Sequence, residues 1–412
     1  MDLIQSFSFE LPTRIEYGAG VFSNLASELS RLEARRVLIV TDKGVRRALS
    51  DAAIVDPLRK ADIGVMVFDE VEPNPKDRNV EKGAAVARQL GAEALVAIGG
   101  GSPIDCAKSI AVLVSHGGDR IKAYEGKTGV VRSVTPWIAV PTTAGTGSEV
   151  TFSSVITDSE GKYKMTVKSP FMAARVALVD PELTHTVPPR TTAATGVDAL
   201  THAIEAYTVT CSEPISDALA LHAISLISRS LRDAVRNGRN AKARSSMMLG
   251  SLLAGIAFSH SDVGSVHCMA ESLGGVYDLP HGVCNAILLP YVMEYNMACC
   301  QERYAKVAQA MGVSCDLGGN GGDYGRDDTH AGLGGHVCPG TDDKMRRQAA
   351  AAVRAVKSLC RDVGLPALNT LGIRESDLPM LAEMSARNIS TESNPRPMDK
   401  EDYLEVFKRA ME

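Results

Sequence analysis

The stretch GVDALTHAIEAY, residues 196–207, sets an aspartate and a histidine four positions apart in an apolar, helix-forming run. In an α-helix Asp198 and His202 stand one turn apart on one face. Their small and aliphatic neighbours predict a buried helix. An acid beside an imidazole in such a helix is either a hydrogen-bonded structural pair or half of a metal site. Two more histidines bear on the choice. In GSVHCMAESLGGVYDLPHGVCNAI, residues 264–287, His267 falls in a helical segment and His281 at a turn or helix start. One carboxylate with three imidazoles is a donor set suited to Fe(II) or Zn(II). His222 and His260 have no such company and read as core histidines.

A second chemistry is written in ALVAIGGGSPIDCAKSIAVLV, residues 94–114. Three glycines, Gly99, Gly100 and Gly101, follow a strand-like run and precede a helical one. Backbone N–H groups at such a helix start, with its positive dipole end, suit a pyrophosphate. The spacing is not the G-x-G-x-x-G fingerprint of the common dinucleotide fold. Ser102 is the expected N-cap, with Pro103 at the first helical position and Asp105 completing a capping box. The loop PTTAGTGSEVT, residues 141–151, adds the hydroxyls of Thr142, Thr143, Thr146 and Ser148 for a ribose or diphosphate. Asp42 ends a strand-like run. There it either accepts from an adenosine ribose, favouring NAD over NADP, or starts a turn.

The elements that must position these residues change character along the chain. RRVLIVTD (35–42), IGVMVFDEV (63–71), ALVAIGGGS (94–102), WIAVPTT (137–143) and RVALVD (175–180) are short aliphatic strands. Helical stretches between them imply a doubly wound parallel sheet. From about Thr191 strand signals give way to Ala/Leu/Ile/Met-rich helical runs, with VPPR (187–190) as the boundary. The expected domains are 1–187, α/β, and 188–412, all helical. A Gly/Asp-rich insertion at about 315–343 reads as a long exposed loop or a disordered insertion, and its His330, His336 and Cys338 as loop residues rather than a second metal site. Two capped helices are expected in the tail.

Composition excludes several functions. The 412 residues are 45% hydrophobic and 23% charged with a formal net charge of −5, which gives no footprint for nucleic acid or an anionic membrane. No run is apolar for long enough to span a bilayer, and the N-terminus lacks the regions of a signal peptide. The nine cysteines show no framework spacing, as expected of reduced thiols in a cytoplasm.

The motifs GGGSPIDCAK, PTTAGTGSEVT, ATGVDALTHAIEAY, VHCMAESLGGVYDLPHGVCNAILLP and NPRPMDKEDYLEV together resemble the iron-dependent (group III) alcohol dehydrogenases, the branch of lactaldehyde reductase and propanediol dehydrogenase. The resemblance spans nearly the whole chain. It implies an N-terminal Rossmann-like NAD-binding domain, a C-terminal helical metal-binding domain (the dehydroquinate synthase-like fold) and a cleft site between them. It carries metal ligation onto Asp198, His202, His267 and His281. Cofactor contacts carry onto Asp42, Asn74, Gly100, Gly101, Ser102, Asp105, Thr142, Thr143, Thr146, Ser148 and Lys164. The implied activity is reversible hydride transfer between NAD(H) and a small alcohol or aldehyde, with iron, or zinc, as Lewis acid. The implied assembly is a homodimer or larger homo-oligomer. Sulfoacetaldehyde, lactaldehyde and 3-hydroxypropionaldehyde are all open as substrates, and a glycerol dehydrogenase-like polyol enzyme is the rival within the superfamily. The sequence departs from the family at Glu271, where a histidine near nicotinamide and substrate is usual. Glu271 is therefore a candidate catalytic residue in its place, with His267 and His281. Phe152 and Phe258 are candidate pocket walls.

Overall fold

The computed structural model describes residues 6–313 and 343–412. Six strands form one parallel sheet: β1 (Arg14–Tyr17), β2 (Arg36–Val40), β3 (Gly64–Phe68), β4 (Ala94–Gly99), β5 (Trp137–Pro141) and β8 (Val176–Val179). Their order is β1-β8-β5-β4-β2-β3. A separate antiparallel hairpin, β6 (Ser153–Asp158) with β7 (Tyr163–Lys168), lies between β5 and β8 in the chain.

The inner strands β2, β4, β5 and β8 are buried on both faces because alternate side chains enter two different cores, whereas the edge strand β3 leaves Met66 exposed. Leu38, Val40, Leu95 and Ala97 pack on one side of the sheet, and Val37, Ile39, Val96 and Ile98 on the other. From β2 the chain continues to β3 on one side and then to β4 on the other. This reversal opens a crevice at the carboxyl ends of β2 and β4, the general place for a ligand in such sheets. Asp42 and the triple glycine lie at those two ends.

The helices of the first half are α1 (Leu25–Arg31), α2 (Lys43–Ala48), α3 (Asp51–Ile54), α4 (Asp56–Lys60), α5 (Asp77–Leu90) and α6 (Gly101–His116). The second half holds α7 (Pro189–Thr208), α8 (Pro214–Arg236), α9 (Ala241–His260), α10 (Ser265–Tyr277), α11 (His281–Ala310), α12 (Asp343–Asp362), α13 (Leu378–Ala386) and α14 (Lys400–Met411). These helices enclose a core of their own. No helix among the described residues is long and apolar enough to cross a membrane. The described cysteines, Cys299 and Cys300 included, are free thiols.

Several expectations need correction. The N-cap of α6 is Gly100 rather than Ser102, no side chain caps it, and Pro103 is the third helical residue rather than the first. Asp105 makes no capping box; its carboxylate instead accepts from Ser148 Oγ at 2.5 Å and Val155 N at 3.0 Å. In the tail α14 carries a capping box from Asp399, but α13 has no side-chain cap, because Asp377 is engaged by Tyr277 Oη and Arg374. The expected insertion at 315–343, with His330, His336 and Cys338, lies outside the described residues except for Asp343.

Candidate active site

Three helices carry the donor set. Asp198 and His202 share the inner face of α7, His267 lies in the first turn of α10, and His281 opens α11. Asp278, in the left-handed region at φ 53°, ends α10 and turns the chain back within three residues into α11. Gly282 lets α11 approach α7: a Cβ there would stand 2.7 Å from Ala194 O and 3.2 Å from Asp198 Cβ. The result is one cluster in which the ligand atoms of Asp198, His202, His267 and His281 all lie within 4.8 Å of one another.

Two further residues orient the cluster. Glu205, seven positions after Asp198 on the same face of α7, accepts the Nδ1 hydrogen of His267 through Oε2. Its Oε1 accepts from Val266 N at 2.8 Å, which also caps the start of α10. With Nδ1 protonated, His267 presents Nε2 as a lone pair. Asn285, one turn after His281 on α11, places Nδ2 at 2.7 Å from Asp198 Oδ1, 3.0 Å from His267 Nε2 and 3.1 Å from His281 Nε2. Sequence reasoning assigned neither residue. Their signal was there, since 198/202/205 and 281/285 are same-face helical spacings.

The donor set fits a divalent cation. The Asn285 amide has two protons for three acceptors, and its Oδ1 is buried without a partner. Lone pairs thus exceed protons at the centre of the cluster, the condition a cation relieves. Burial lowers His202 to about 4. Burial, with the positive charge of Lys164 behind it, holds His281 well below the usual imidazole range. Both are therefore neutral near pH 7, the form that binds metal. Burial alone would lower His267 too, but the charge and hydrogen bond of Glu205 outweigh it and raise its pKa. Phe258 stacks on His202 with ring centroids 4.5 Å apart and closes that side.

The nucleotide end is built on β4 and α6. The first N–H groups of α6 are free of side-chain caps and so are available to an anion. Close packing excludes larger residues here: a Cβ on Gly101 would meet Thr146 Cγ2 at 2.6 Å. The loop 141–151 is held from beneath by Lys108. Its Nζ donates to Ser148 Oγ, Thr151 Oγ1 and Ser153 O, each at 2.7 Å. Burial lowers the Lys108 ammonium, against the neighbouring charge of Asp105. Beside it Glu149 is buried with Oε1 unpaired, and burial raises its carboxyl to about 7. Asp42 starts a turn, as one of its two readings had it: Oδ1 caps α2, accepting from Gly44 N at 2.7 Å and Val45 N at 2.9 Å, and the residue also lines the crevice. Asn74 Oδ1 accepts from Lys164 Nζ at 2.9 Å.

A single cavity of about 1510 Å³ joins the two ends, and Asp42, Asn74, Gly100–Ser102, Asp105, Thr142, Thr143, Thr146, Ser148 and Lys164 line it together with Asp198, His202, His267, Glu271 and His281. Phe152 and Phe258 line it as well. His260 does not join the cluster; its ring nitrogens meet Ile256 O and Glu10 O at 2.8 and 2.7 Å.

Comparison with known proteins agrees with this geometry. Residues 12–181 match the family described as iron-containing alcohol dehydrogenase, and residues 192–411 match the C-terminal part of the Fe-containing alcohol dehydrogenase family. The 1,3-propanediol dehydrogenase of Citrobacter freundii is 41% identical over 408 residues, 98% of each chain. The lactaldehyde reductase of Escherichia coli (strain K12) is 37% identical over 396 residues, 96% of this chain and 97% of that one. The NAD-dependent methanol dehydrogenase of Bacillus methanolicus is 36% identical over 408 residues, 98% of this chain and 100% of that one. A crystal structure of a 1,3-propanediol oxidoreductase superposes with a TM-score of 0.89 at 39% identity, covering 98% of this chain and 100% of that one. The chain belongs to the iron-containing alcohol dehydrogenase family.

Proposed function

We propose that the protein transfers hydride reversibly between NAD(H) and a small primary alcohol or aldehyde, in the cavity between the sheet and the helices. The observation that carries this is one cavity with an uncapped helix start at one end and an Asp/His₃ cluster at the other.

In this reading the N–H groups at Gly101 and Ser102 bind the pyrophosphate, with Thr143 against Gly100 and Thr146 against Gly101. Thr142 and Ser148 line the same cleft, with Ser148 set by Asp105 and Lys108. Asp42, with Oδ1 committed to its helix, offers its other oxygen to the adenosine ribose and repels a 2′-phosphate, so NAD is preferred to NADP. Lys164, fixed by Asn74, stands between the nucleotide cleft and the metal end.

Asp198, His202, His267 and His281 hold the metal, iron first and zinc second, oriented by Glu205 and Asn285. A metal bound there supplies Lewis acidity toward the substrate oxygen. Phe152 and Phe258 exclude water from the reacting carbon. Glu271, one turn beyond His267, lines the substrate end of the cavity, where as a carboxylate it can accept a proton from the reacting group. Burial raises its carboxyl, opposed by the charge of Lys164 and the hydrogen bond from Asn388. The named relatives put propanediol, lactaldehyde and other short hydroxylated compounds first among substrates to assay.

We further propose a division into domains at residues 187/188, and a homo-oligomer of the cytoplasm. The free thiols support a reducing compartment, and the open sheet edge at β1 offers a surface for a second copy. The function is tested with protein loaded separately with Fe(II) and Zn(II), assayed with NADH and NADPH against short aldehydes. Metal-dependent NADH oxidation is expected. Absence of turnover with every aldehyde and either metal contradicts the reading.

A further inference from the structure

We propose that Glu271 sets substrate specificity, excluding aldehydes with an anionic tail in favour of uncharged ones of the same size. This rests on the hydride-transfer reading above and concerns only which aldehydes the site admits.

Glu271 lies one turn after His267 on α10, so both side chains leave the helix on one face and line the cavity. Its two oxygens are not equivalent. Oε2 accepts from Asn388 Nδ2 at 2.6 Å, whereas Oε1 has no hydrogen-bond partner among the described residues. A second carboxylate, Asp262, lines the same cavity. Its Oδ1 accepts from Val263 N at 2.9 Å and Ser390 Oγ at 3.2 Å. Asn388 and Ser390 belong to the segment that follows α13, so one short stretch of chain holds both acids in place. The ammonium that faces Glu271 is Lys164, and its Nζ is already engaged by Asn74 Oδ1 at 2.9 Å. An incoming anion therefore meets two fixed carboxylates against one ammonium, a set whose net charge is negative.

In this proposal the tail of a substrate whose reacting carbon stands beside His267 runs past Glu271, one helical turn away in the same cavity. In a cavity with low-dielectric walls, a carboxylate or sulfonate tail is repelled there more strongly than in water. A hydroxyl or other uncharged tail is not, and a hydroxyl donates to the free Oε1. The site thus discriminates by charge rather than by volume.

The test uses the metal-loaded enzyme at pH 8 with NADH and two aldehydes of similar length, succinic semialdehyde and its uncharged methyl ester. The readout is the ratio of their kcat/KM values, which a general loss of rate leaves unmoved. Wild type should favour the ester by about 100-fold. Glu271→Gln, which keeps shape and removes charge, should narrow that ratio at least about tenfold, with Glu271→Ser as the second variant at the position. Equal use of both aldehydes by wild type, or a ratio unchanged in the variants, overturns the proposal. Wild type that reduces neither aldehyde, nor any other short aldehyde, overturns the hydride-transfer reading and this proposal with it.

Discussion

Glu205 takes the Nδ1 hydrogen of His267 and, with its other oxygen, the backbone N–H of Val266 at 2.8 Å. One carboxylate thereby fixes the tautomer and angle of the histidine and ties α7 to the start of α10. Removing the charge while keeping the shape, Glu205→Gln, should weaken metal binding about 10–100-fold. The measurement is a competition titration of Fe(II) or Zn(II) against a chromophoric chelator. Unchanged affinity would make Glu205 a helix cap and nothing more.

The glycine at the start of α6 is a matter of space. Gly101→Ala puts a methyl 2.6 Å from Thr146 Cγ2, displacing either the loop or the N–H groups that face the cleft. NADH binding should weaken at least about tenfold, read from the dissociation constant by NADH fluorescence, with metal content near that of wild type. Equal loss of metal and NADH would instead indicate general unfolding.

Asp42 should decide between the two nicotinamide cofactors. Asp42→Ala removes the charge that opposes a 2′-phosphate, and with it the cap on α2, at about 1 kcal/mol of stability. The NADPH to NADH ratio of kcat/KM should rise at least about tenfold. A ratio that stays put returns Asp42 to the turn residue it also is.

Glu149 gives the protein a pH-dependent stability. Its carboxyl is raised to about 7 in the fold, against about 4.3 for an unfolded glutamate. Between those values the folded state holds the proton and the unfolded state does not, so stability falls as pH rises through this window. At about 1.4 kcal/mol per pH unit the full effect is roughly 4 kcal/mol. Urea unfolding at pH 5 and pH 8 should show the decline in wild type and a flatter profile in Glu149→Gln. The same slope in both proteins would assign it to other groups.

Much of this site was legible because its parts are local. The i,i+4 pair 198/202, the strand-glycine-helix stretch and the hydroxyl-rich loop are patterns within a dozen residues. Less visible was whatever depended on what the fold brings together. Asp105 read as a cap, yet a backbone N–H fifty residues on, at Val155, claims it. Ser102 read as the N-cap because serine favours that position, but the tight turn at Gly100 starts the helix earlier. The four-residue β1 carries too few apolar side chains to stand out. The hairpin β6–β7, which holds Lys164, is more polar than the aliphatic strands β5 and β8 on either side of it in the chain and does not stand out. Glu205 lay in plain view within GVDALTHAIEAY, but its partner is sixty-two residues away.

In the proposed function the Asp198/His202/His267/His281 cluster binds the metal on which NADH-dependent aldehyde reduction depends. This is tested by measuring bound metal and propanal-dependent NADH oxidation on the same samples across an anaerobic Fe(II) titration of wild type and His267→Ala. Turnover should rise in proportion to bound metal in wild type and saturate near one ion per chain, with neither metal nor turnover in His267→Ala. Turnover in wild type that is independent of metal, or full turnover in His267→Ala, would contradict it.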